Sequence, residues 1–200
     1  MARNHLFVMV KEPHAGRVKT RLGRDIGMTG SAWWFRHQTQ RLLRAVAHDP
    51  RWSCTLAVSP DSEGLASRVW PADLPRCAQG RGNLGDRMAR IFRHGPVGRT
   101  VIIGADIPGI TPARIARAFA CLGDHDAVFG PAPDGGYWLI GLHGGAKPVP
   151  KTLFRKVRWS TEHALDDTRA SLGRARVALI DALRDVDTVS DLLSLPEKLR

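Results

Sequence analysis

Residues 11–22, KEPHAGRVKTRL, combine the residue types that hold phosphate groups in proteins. Arg17, Lys19 and Arg21 supply positive charge, and Gly16 lets the backbone come close to a ligand. The stretch directly follows an apolar run, residues 5–10, that is typical of a short buried strand. Backbone N–H groups and cations that converge after a strand favour an anion. We therefore predict that this loop binds a phosphorylated ligand such as a nucleotide.

Two acidic positions have the chemistry of a divalent-cation site. Asp106 follows the apolar run 100–103, and Pro108 fixes the backbone beside it. Mg²⁺ usually takes one or two carboxylates together with phosphate oxygens, whereas the simpler alternative is that Asp106 accepts N–H bonds within its own turn. Asp185 and Asp187 precede a predicted helix. We expect at most one of them to reach a metal, and Asp187 could instead cap the helix.

A third candidate region is the loop around Asp134-Gly135-Gly136-Tyr137. Asp134 could bind a sugar hydroxyl or a metal, and the double glycine would let the backbone approach a ligand. Tyr137 could offer a stacking face together with Trp138. The alternatives are an ordinary Asp-Gly turn and, for at least one of the two rings, packing in the core.

The stretch 79–87, QGRGNLGDR, is glycine-rich and leads into a predicted helix. Its spacing is not that of a P-loop. A mobile surface loop is the simpler interpretation, and in the vicinity of a site the loop could wrap around a base or a ribose.

These candidates depend on an alternation of short apolar runs with amphipathic stretches. Strands are predicted over 5–10, 54–58, 100–103, 126–129, 137–142 and 176–180, and helices over 28–47, 62–69, 83–94, 111–122, 160–171 and 188–195. Such alternation predicts one α/β domain, residues 1–200, with a mostly parallel sheet. Because ligands bind beyond the carboxyl ends of parallel strands, the loops after 5–10 and 100–103 should share one edge.

The composition of the chain argues against several classes of protein. The net charge is +11, from 30 Lys and Arg against 19 Asp and Glu, but the basic residues are spread along the chain. This pattern favours a solvated basic surface over a dedicated nucleic-acid site. Three dispersed cysteines and eight scattered histidines exclude a disulfide scaffold and a zinc motif. No apolar stretch approaches the roughly 20 residues that span a bilayer, so a cytoplasmic protein is expected.

Six motifs, in chain order, resemble an uncharacterised bacterial family of the glycosyltransferase A-type superfamily, often labelled arsenosugar-biosynthesis glycosyltransferase-like. The resemblance covers nearly the whole chain. The motifs are KxPxxGxxKTRL (11–22), QGxGxLGxR (79–87), IGxDxP (103–108), GPAxDGGYWLIG (130–141), WST (159–161) and RDVDT (184–188). The family often has an acidic residue at the position of Asn83.

The resemblance implies a nucleotide-diphospho-sugar transferase fold, a three-layer α/β/α sandwich with a mixed sheet. It also implies roles for individual residues. The residues implied to bind the nucleotide and its phosphates are Lys11, Gly16, Lys19, Thr20, Arg21, Gly82 and Asn83. Asp106 and Asp187 are implied to hold Mg²⁺ or Mn²⁺, and Asp106 and Asp134 to be catalytic. The residues implied to bind the acceptor or the sugar are Asp134, Gly135, Gly136 and Tyr137.

The first functional hypothesis is a Mg²⁺-dependent transferase that moves a sugar from a nucleotide-sugar donor to a small acceptor. The second is a nucleotidyltransferase that releases pyrophosphate from a nucleoside triphosphate, since Lys19-Thr20-Arg21-Leu22 also resembles the first loop of phospholactate guanylyltransferases. A hypothesis from another class is a non-catalytic binder of a nucleotide or, through its positive charge, of nucleic acid. The oligomeric state does not follow from the sequence.

Overall fold

A computed structural model of the chain describes residues 3–144 and 149–197, so the predicted domain over 1–200 extends outside the described residues. In the described part, the strands are β1 (Asn4–Lys11), β2 (Ser53–Ser59), β3 (Arg76–Ala78), β4 (Gly98–Gly104), β5 (Ala127–Pro131), β6 (Tyr137–Gly144) and β7 (Val177–Leu179). The helices are α1 (Thr20–Ile26), α2 (Met28–Val46), α3 (Asp61–Leu65), α4 (Leu84–His94), α5 (Pro112–Cys121), α6 (Ala164–Ser171) and α7 (Val189–Ser194).

The strands form one mixed sheet in the order β3-β2-β1-β4-β6-β5-β7. β1 pairs in parallel with β2 and β4, and β7 pairs in parallel with β5. β6 runs antiparallel to both β4 and β5. The predicted α/β class is therefore confirmed. Because β1 and β4 are parallel neighbours, the loops that follow them leave the same edge of the sheet, as expected from the sequence.

Helices cover both faces of the sheet. In β1, Leu6, Val8 and Val10 belong to a core that includes side chains of α2 and α5, whereas Phe7 belongs to a second core that includes side chains of α4. Successive strand residues point to opposite faces, so this division makes β1 a central strand buried on both sides. The result is the three-layer α/β/α sandwich.

Side-chain caps begin three of the described helices, α4, α5 and α7. The helix predicted over 111–122 is confirmed as α5; Thr111 caps it by accepting a hydrogen bond from Arg114 N at 3.3 Å, with Pro112 at the first helical position. The predicted start of the helix over 160–171 is wrong, because α6 begins only at Ala164. Ser160 has a left-handed backbone, φ 61°, which a right-handed α-helix does not accommodate.

Two elements were not predicted. β3 is only three residues long, Arg76–Ala78. The helix α1 is short and mostly polar, with Leu22 and Gly23 as its buried residues, so it lacks the apolar periodicity that reveals a helix in a sequence. No helix in the described ranges is long and apolar enough to cross a membrane.

Below neutral pH, we expect His5 to destabilise the fold. The residue is 7% exposed; Nδ1 lies 2.8 Å from Ser53 Oγ and Nε2 lies 3.3 Å from the Val97 carbonyl oxygen. Burial lowers the pKa of His5, the bond to Val97 raises it, and Arg3 lowers it, with a net decrease. The unfolded chain therefore binds the extra proton first, so stability that is present above about pH 6.5 is lost as the pH falls.

Thermal unfolding at pH 7.5 and 5.5 measures this effect. The decrease in Tm between the two pH values should be smaller in His5→Asn than in the wild type, because the variant has no imidazole to protonate. An equal decrease in both proteins would exclude His5 as its source.

Candidate active site

The ammonium group of Lys19 lies among three carboxylates. Lys19 Nζ is 2.8 Å from Asp106 Oδ2, 3.1 Å from Asp187 Oδ1 and 3.5 Å from Asp185 Oδ2. The Lys19 side chain is 5% exposed. These contacts bring the loop after β1, the loop after β4 and the segment before α7 to one point at the carboxyl edge of the sheet.

A fourth carboxylate, that of Asp134, acts electrostatically on Asp185 in this group. Burial by itself lowers the pKa of Lys19, but Asp106, and then Asp185 and Asp187, outweigh it and hold the pKa well above its usual value. Burial also raises the pKa of Asp185; Lys19 lowers it, and Asp187, Asp106 and Asp134 raise it further. Asp106, Asp134, Asp185 and Asp187 are called the acidic cluster below.

Asp185 and Asp187 both contact the Lys19 ammonium. The expectation that at most one of them reaches a metal stays a prediction. In extended backbone, residues two apart point to the same side. Val186 between them is fully buried and anchors the segment in the core. Asp187 does not cap the following helix either, because Thr188 does so, in a capping box with Asp191.

The basic residues of the first loop surround a cavity of about 610 Å³. Arg21 Nη1 is 2.7 Å from Asp187 Oδ2, and the Arg21 side chain is 68% exposed. Gly16, in contrast, does not line this cavity; its φ is +76° and a Cβ atom there would meet nothing within 4 Å. Its backbone conformation, rather than a close approach, explains this glycine. The cavity is lined by Lys11, Arg17, Lys19, Thr20 and Arg21 together with Asp106, Asp185 and Asp187.

Two smaller cavities adjoin the first. One, of about 400 Å³, is lined by Lys11, Gly82, Asn83 and Tyr137 and by apolar side chains of β4 and β6. The other, of about 200 Å³, is lined by Asp134, Gly136, Tyr137, Ser160 and Asp185. Leu84 lines all three cavities and is 46% exposed.

Leu84 and Ser160 were not singled out as site residues by the sequence analysis. An apolar residue in the first turn of a helix gives no chemical signal, and Ser160 stands at the start of the predicted helix over 160–171, where a serine is an ordinary residue. The left-handed backbone of Ser160, φ 61°, becomes visible only in the structure.

Two arginines of α4 hold the glycine-rich loop in place. Arg90 Nη1 donates to the carbonyl of Gln79, and Arg87 Nε donates to the carbonyl of Gly82 at 3.1 Å. The buried Gln79 amide in turn donates to the carbonyls of Val10 at 3.2 Å and Ala57 at 2.8 Å. The loop is therefore tied both to α4 and to the strands β1 and β2, unlike the free surface loop that its composition suggested.

Asn83 has a structural role that its sequence context did not reveal. Its Oδ1 accepts a hydrogen bond from Asp86 N at 3.0 Å, and Asp86 Oδ2 accepts one from Asn83 N at 3.0 Å. This capping box begins α4. The Asn83 oxygen is thus engaged, and its amide N–H₂ is the part that can reach the adjoining cavity.

The loop around Asp134 is a tight turn packed on another segment. Asp134 Oδ1 accepts from Gly136 N at 2.9 Å. Gly135 has φ +81°, and a Cβ atom there would lie 2.0 Å from the Glu162 carbonyl oxygen. Close contact with the chain, rather than with a ligand, therefore explains Gly135. Asp134 itself is exposed and lines the 200 Å³ cavity.

The two rings of this loop differ in surroundings. Tyr137 packs edge-on against Phe129, and its hydroxyl lies 3.3 Å from Thr168 Oγ1. Burial raises the pKa of Tyr137, and the bond to Thr168 lowers it by less. Trp138 is 2% exposed and its Nε1 donates to the Asp181 carbonyl. Trp138 is a core residue, as expected for at least one of the two rings.

The donor set around Lys19 suits a hard divalent cation. Carboxylate oxygens are the ligands that Mg²⁺ and Mn²⁺ prefer. Within the described ranges, however, no group of three or more His, Cys, Asp or Glu side chains is placed to hold a metal as it stands. The oxygens of Asp106, Asp185 and Asp187 converge on the Lys19 ammonium instead.

The mixed sheet and the charged cavity at its carboxyl edge define a protein with the nucleotide-diphospho-sugar transferase fold. The chain belongs to the family described as "Uncharacterized protein conserved in bacteria (DUF2064)", whose model matches residues 42–161. No curated protein matches the sequence.

Solved structures agree with this fold. The chain is 30% identical to a candidate nucleotide-diphospho-sugar transferase from Desulfovibrio desulfuricans G20, with a TM-score of 0.82 over 99% of this chain and 88% of that one. It is 19% identical to Rv0371c of Mycobacterium tuberculosis H37Rv in complex with manganese, with a TM-score of 0.54 over 96% of each chain. It is 7% identical to 4-diphosphocytidyl-2C-methyl-D-erythritol synthase from Anaerococcus prevotii DSM 20548, with a TM-score of 0.58 over 96% and 95% of the two chains.

Proposed function

We propose that the protein is a divalent-cation-dependent transferase that uses a nucleotide-sugar donor. One observation carries this proposal: Asp106, Asp185 and Asp187 line one cavity together with Lys19 and Arg21, at the carboxyl edge of parallel strands. Carboxylates for a cation and cations for phosphates are the two halves of a metal–diphosphate site. The relative from Desulfovibrio desulfuricans G20 supports the choice of a nucleotide-sugar.

The residues have complementary roles in this proposal. Asp106 and Asp187, with Asp185 beside them, would hold Mg²⁺ or Mn²⁺, which when bound neutralises charge on the diphosphate. Lys19 and Arg21 bind the phosphate oxygens and stabilise the negative charge that develops on the leaving group. The manganese complex of Rv0371c supports a cation in this fold.

The acceptor would lie in the 200 Å³ cavity, beside Asp134 and Tyr137. The acceptor oxygen forms a bond to the anomeric carbon of the sugar, and the bond from that carbon to the diphosphate breaks. The nucleoside diphosphate leaves with the electron pair. The exposed Asp134 carboxylate is the group that accepts the acceptor's hydroxyl proton.

A second candidate is nucleotidyl transfer. Arg17, Lys19 and Arg21 line one cavity, which suits the greater charge of a triphosphate. The 4-diphosphocytidyl-2C-methyl-D-erythritol synthase from Anaerococcus prevotii has the same fold. In this reaction an acceptor oxygen bonds to the α-phosphorus, and pyrophosphate leaves.

Product analysis separates the candidates. The protein is incubated with Mg²⁺ or Mn²⁺ and either UDP-, GDP- or dTDP-sugars, or nucleoside triphosphates plus a phosphorylated acid. Release of a nucleoside diphosphate from a nucleotide-sugar is expected, since slow transfer to water reports cleavage even without the acceptor. Pyrophosphate release would contradict glycosyl transfer in favour of the second candidate. Nucleotide-dependent stabilisation without any turnover would indicate a binding protein.

A further inference from the structure

Lys19 fills the point on which the carboxylates of the site converge. Its Nζ contacts oxygens of Asp106, Asp185 and Asp187 at 2.8 to 3.5 Å, and the side chain is 5% exposed. Its backbone is left-handed, with φ 45° and ψ 47°, a conformation that a residue with a Cβ atom rarely adopts. Three acidic side chains this close together repel each other unless a cation lies between them.

The proposed function, on which this inference rests, needs a divalent cation where the ammonium now lies. We propose that Lys19 is a tethered counter-cation: it neutralises the acidic cluster in the unliganded protein, and the metal displaces it when the metal binds. Two cations cannot share the same carboxylate oxygens at contact distance, because like charges at about 4 Å repel strongly in a partly buried site.

Phosphate oxygens of the nucleotide would be the new partners of the displaced ammonium. A lysine side chain carries its ammonium group on a flexible four-carbon stem, so the ammonium can move by several ångströms while the backbone stays in place. The same 610 Å³ cavity contains Arg17 and Arg21, which would place phosphate oxygens within reach of Lys19. A nucleotide phosphate that attracts Lys19 therefore frees the carboxylates, and a metal that takes the carboxylates frees Lys19. Binding of the two is positively coupled, and the coupling is reciprocal.

Mn²⁺ binding to the protein alone, measured by electron paramagnetic resonance, tests the exchange. Lys19→Met keeps most of the side-chain length but removes the competing charge, so its affinity for Mn²⁺ should exceed that of the wild type by about tenfold or more. Arg21→Met is the matched control, because it removes the same charge from beside Asp187, yet Arg21 is 68% exposed. Its effect on Mn²⁺ affinity should be about threefold or less, as for screened surface charges.

Equal increases in Lys19→Met and Arg21→Met would mean that net charge alone matters and would overturn the exchange. An unchanged or weaker affinity in Lys19→Met would also overturn it. Lys19→Gln is measured in parallel, with circular dichroism of all variants, so that a folding defect is not mistaken for a binding effect.

A second measurement uses the wild-type protein. Reductive methylation followed by mass spectrometry gives the modification rate of Lys19 relative to Lys156, which is exposed and lines none of the three cavities. Saturating Mg²⁺ should raise the relative rate at Lys19 several-fold, because the buried amine leaves the acidic cluster. An unchanged rate would contradict the displacement. Transfer activity that persists in excess chelator would instead contradict the proposed function, so the two failures are distinguishable.

Discussion

Replacing Asp106 by Asn is expected to lower the turnover of the transfer reaction by about 10²- to 10³-fold, the usual effect of removing one electrostatic partner from a reacting centre. Asp106 makes the shortest contact with Lys19, at 2.8 Å, and follows the buried strand β4. Asn keeps the size of the side chain but lacks the charge that would hold a cation. The measurement is steady-state release of nucleoside diphosphate at saturating Mg²⁺.

Asp181→Asn is the matched control. Asp181 also pairs with basic side chains, Arg114 at 3.2 Å and Arg117 at 3.0 Å, but it lines none of the three cavities. Its turnover should stay within about twofold of the wild type, as for half-exposed ion pairs away from the chemistry. A similar loss in both variants would show that Asp106 acts through the fold. Full activity of Asp106→Asn would remove this residue from the catalytic centre.

Replacing Gly135 by Ala is expected to lower the free energy of unfolding by about 3 kcal/mol, the combined cost of a left-handed backbone and an overpacked contact. Gly135 has φ +81°, and the added Cβ would lie 2.0 Å from the Glu162 carbonyl oxygen and 2.4 Å from its Cα. These are backbone atoms, so relief requires the segment before α6 to move. Leu165 N also donates to the Gly135 carbonyl at 2.9 Å, which ties the two segments together. Urea unfolding, followed by circular dichroism, measures the change.

Gly136→Ala provides the comparison within the same turn. Gly136 has no left-handed φ, and the nearest atom to an added Cβ is the Asp134 side-chain oxygen at 3.1 Å, which can shift. The loss of stability should be about 1 kcal/mol or less. Should both substitutions cost the same, the packing of Gly135 on Glu162 would not be the cause. Should Gly135→Ala be neutral in stability but lose sugar binding, the ligand role predicted from the sequence would replace the structural one.

Local patterns were sufficient for the architecture. The run Thr100-Val-Ile-Ile103 is β-branched and continuous because β4 is buried on both faces, and such a strand needs apolar side chains on each side. The predicted start of the helix at residue 111 agrees with α5, which Thr111 caps, because capping is a short-range interaction. β3 and α1 escaped prediction because a three-residue strand and a helix with two buried residues have too little apolar surface to leave a period in the sequence.

The sequence by itself determined the fold class, the edge of the sheet where the candidate site lies and the charged residue types in it, because the period of apolar residues and the order of strands and loops can be read along the chain. Only the tertiary structure decided their partners. Lys19, predicted to bind phosphate, contacts Asp187, which is 168 residues away. Asp185 and Asp187 both face the site. Which opposite charges meet depends on the order and register of the strands that carry them, and on burial that makes an unpaired charge costly. Neither property is encoded in the spacing of the charged residues themselves.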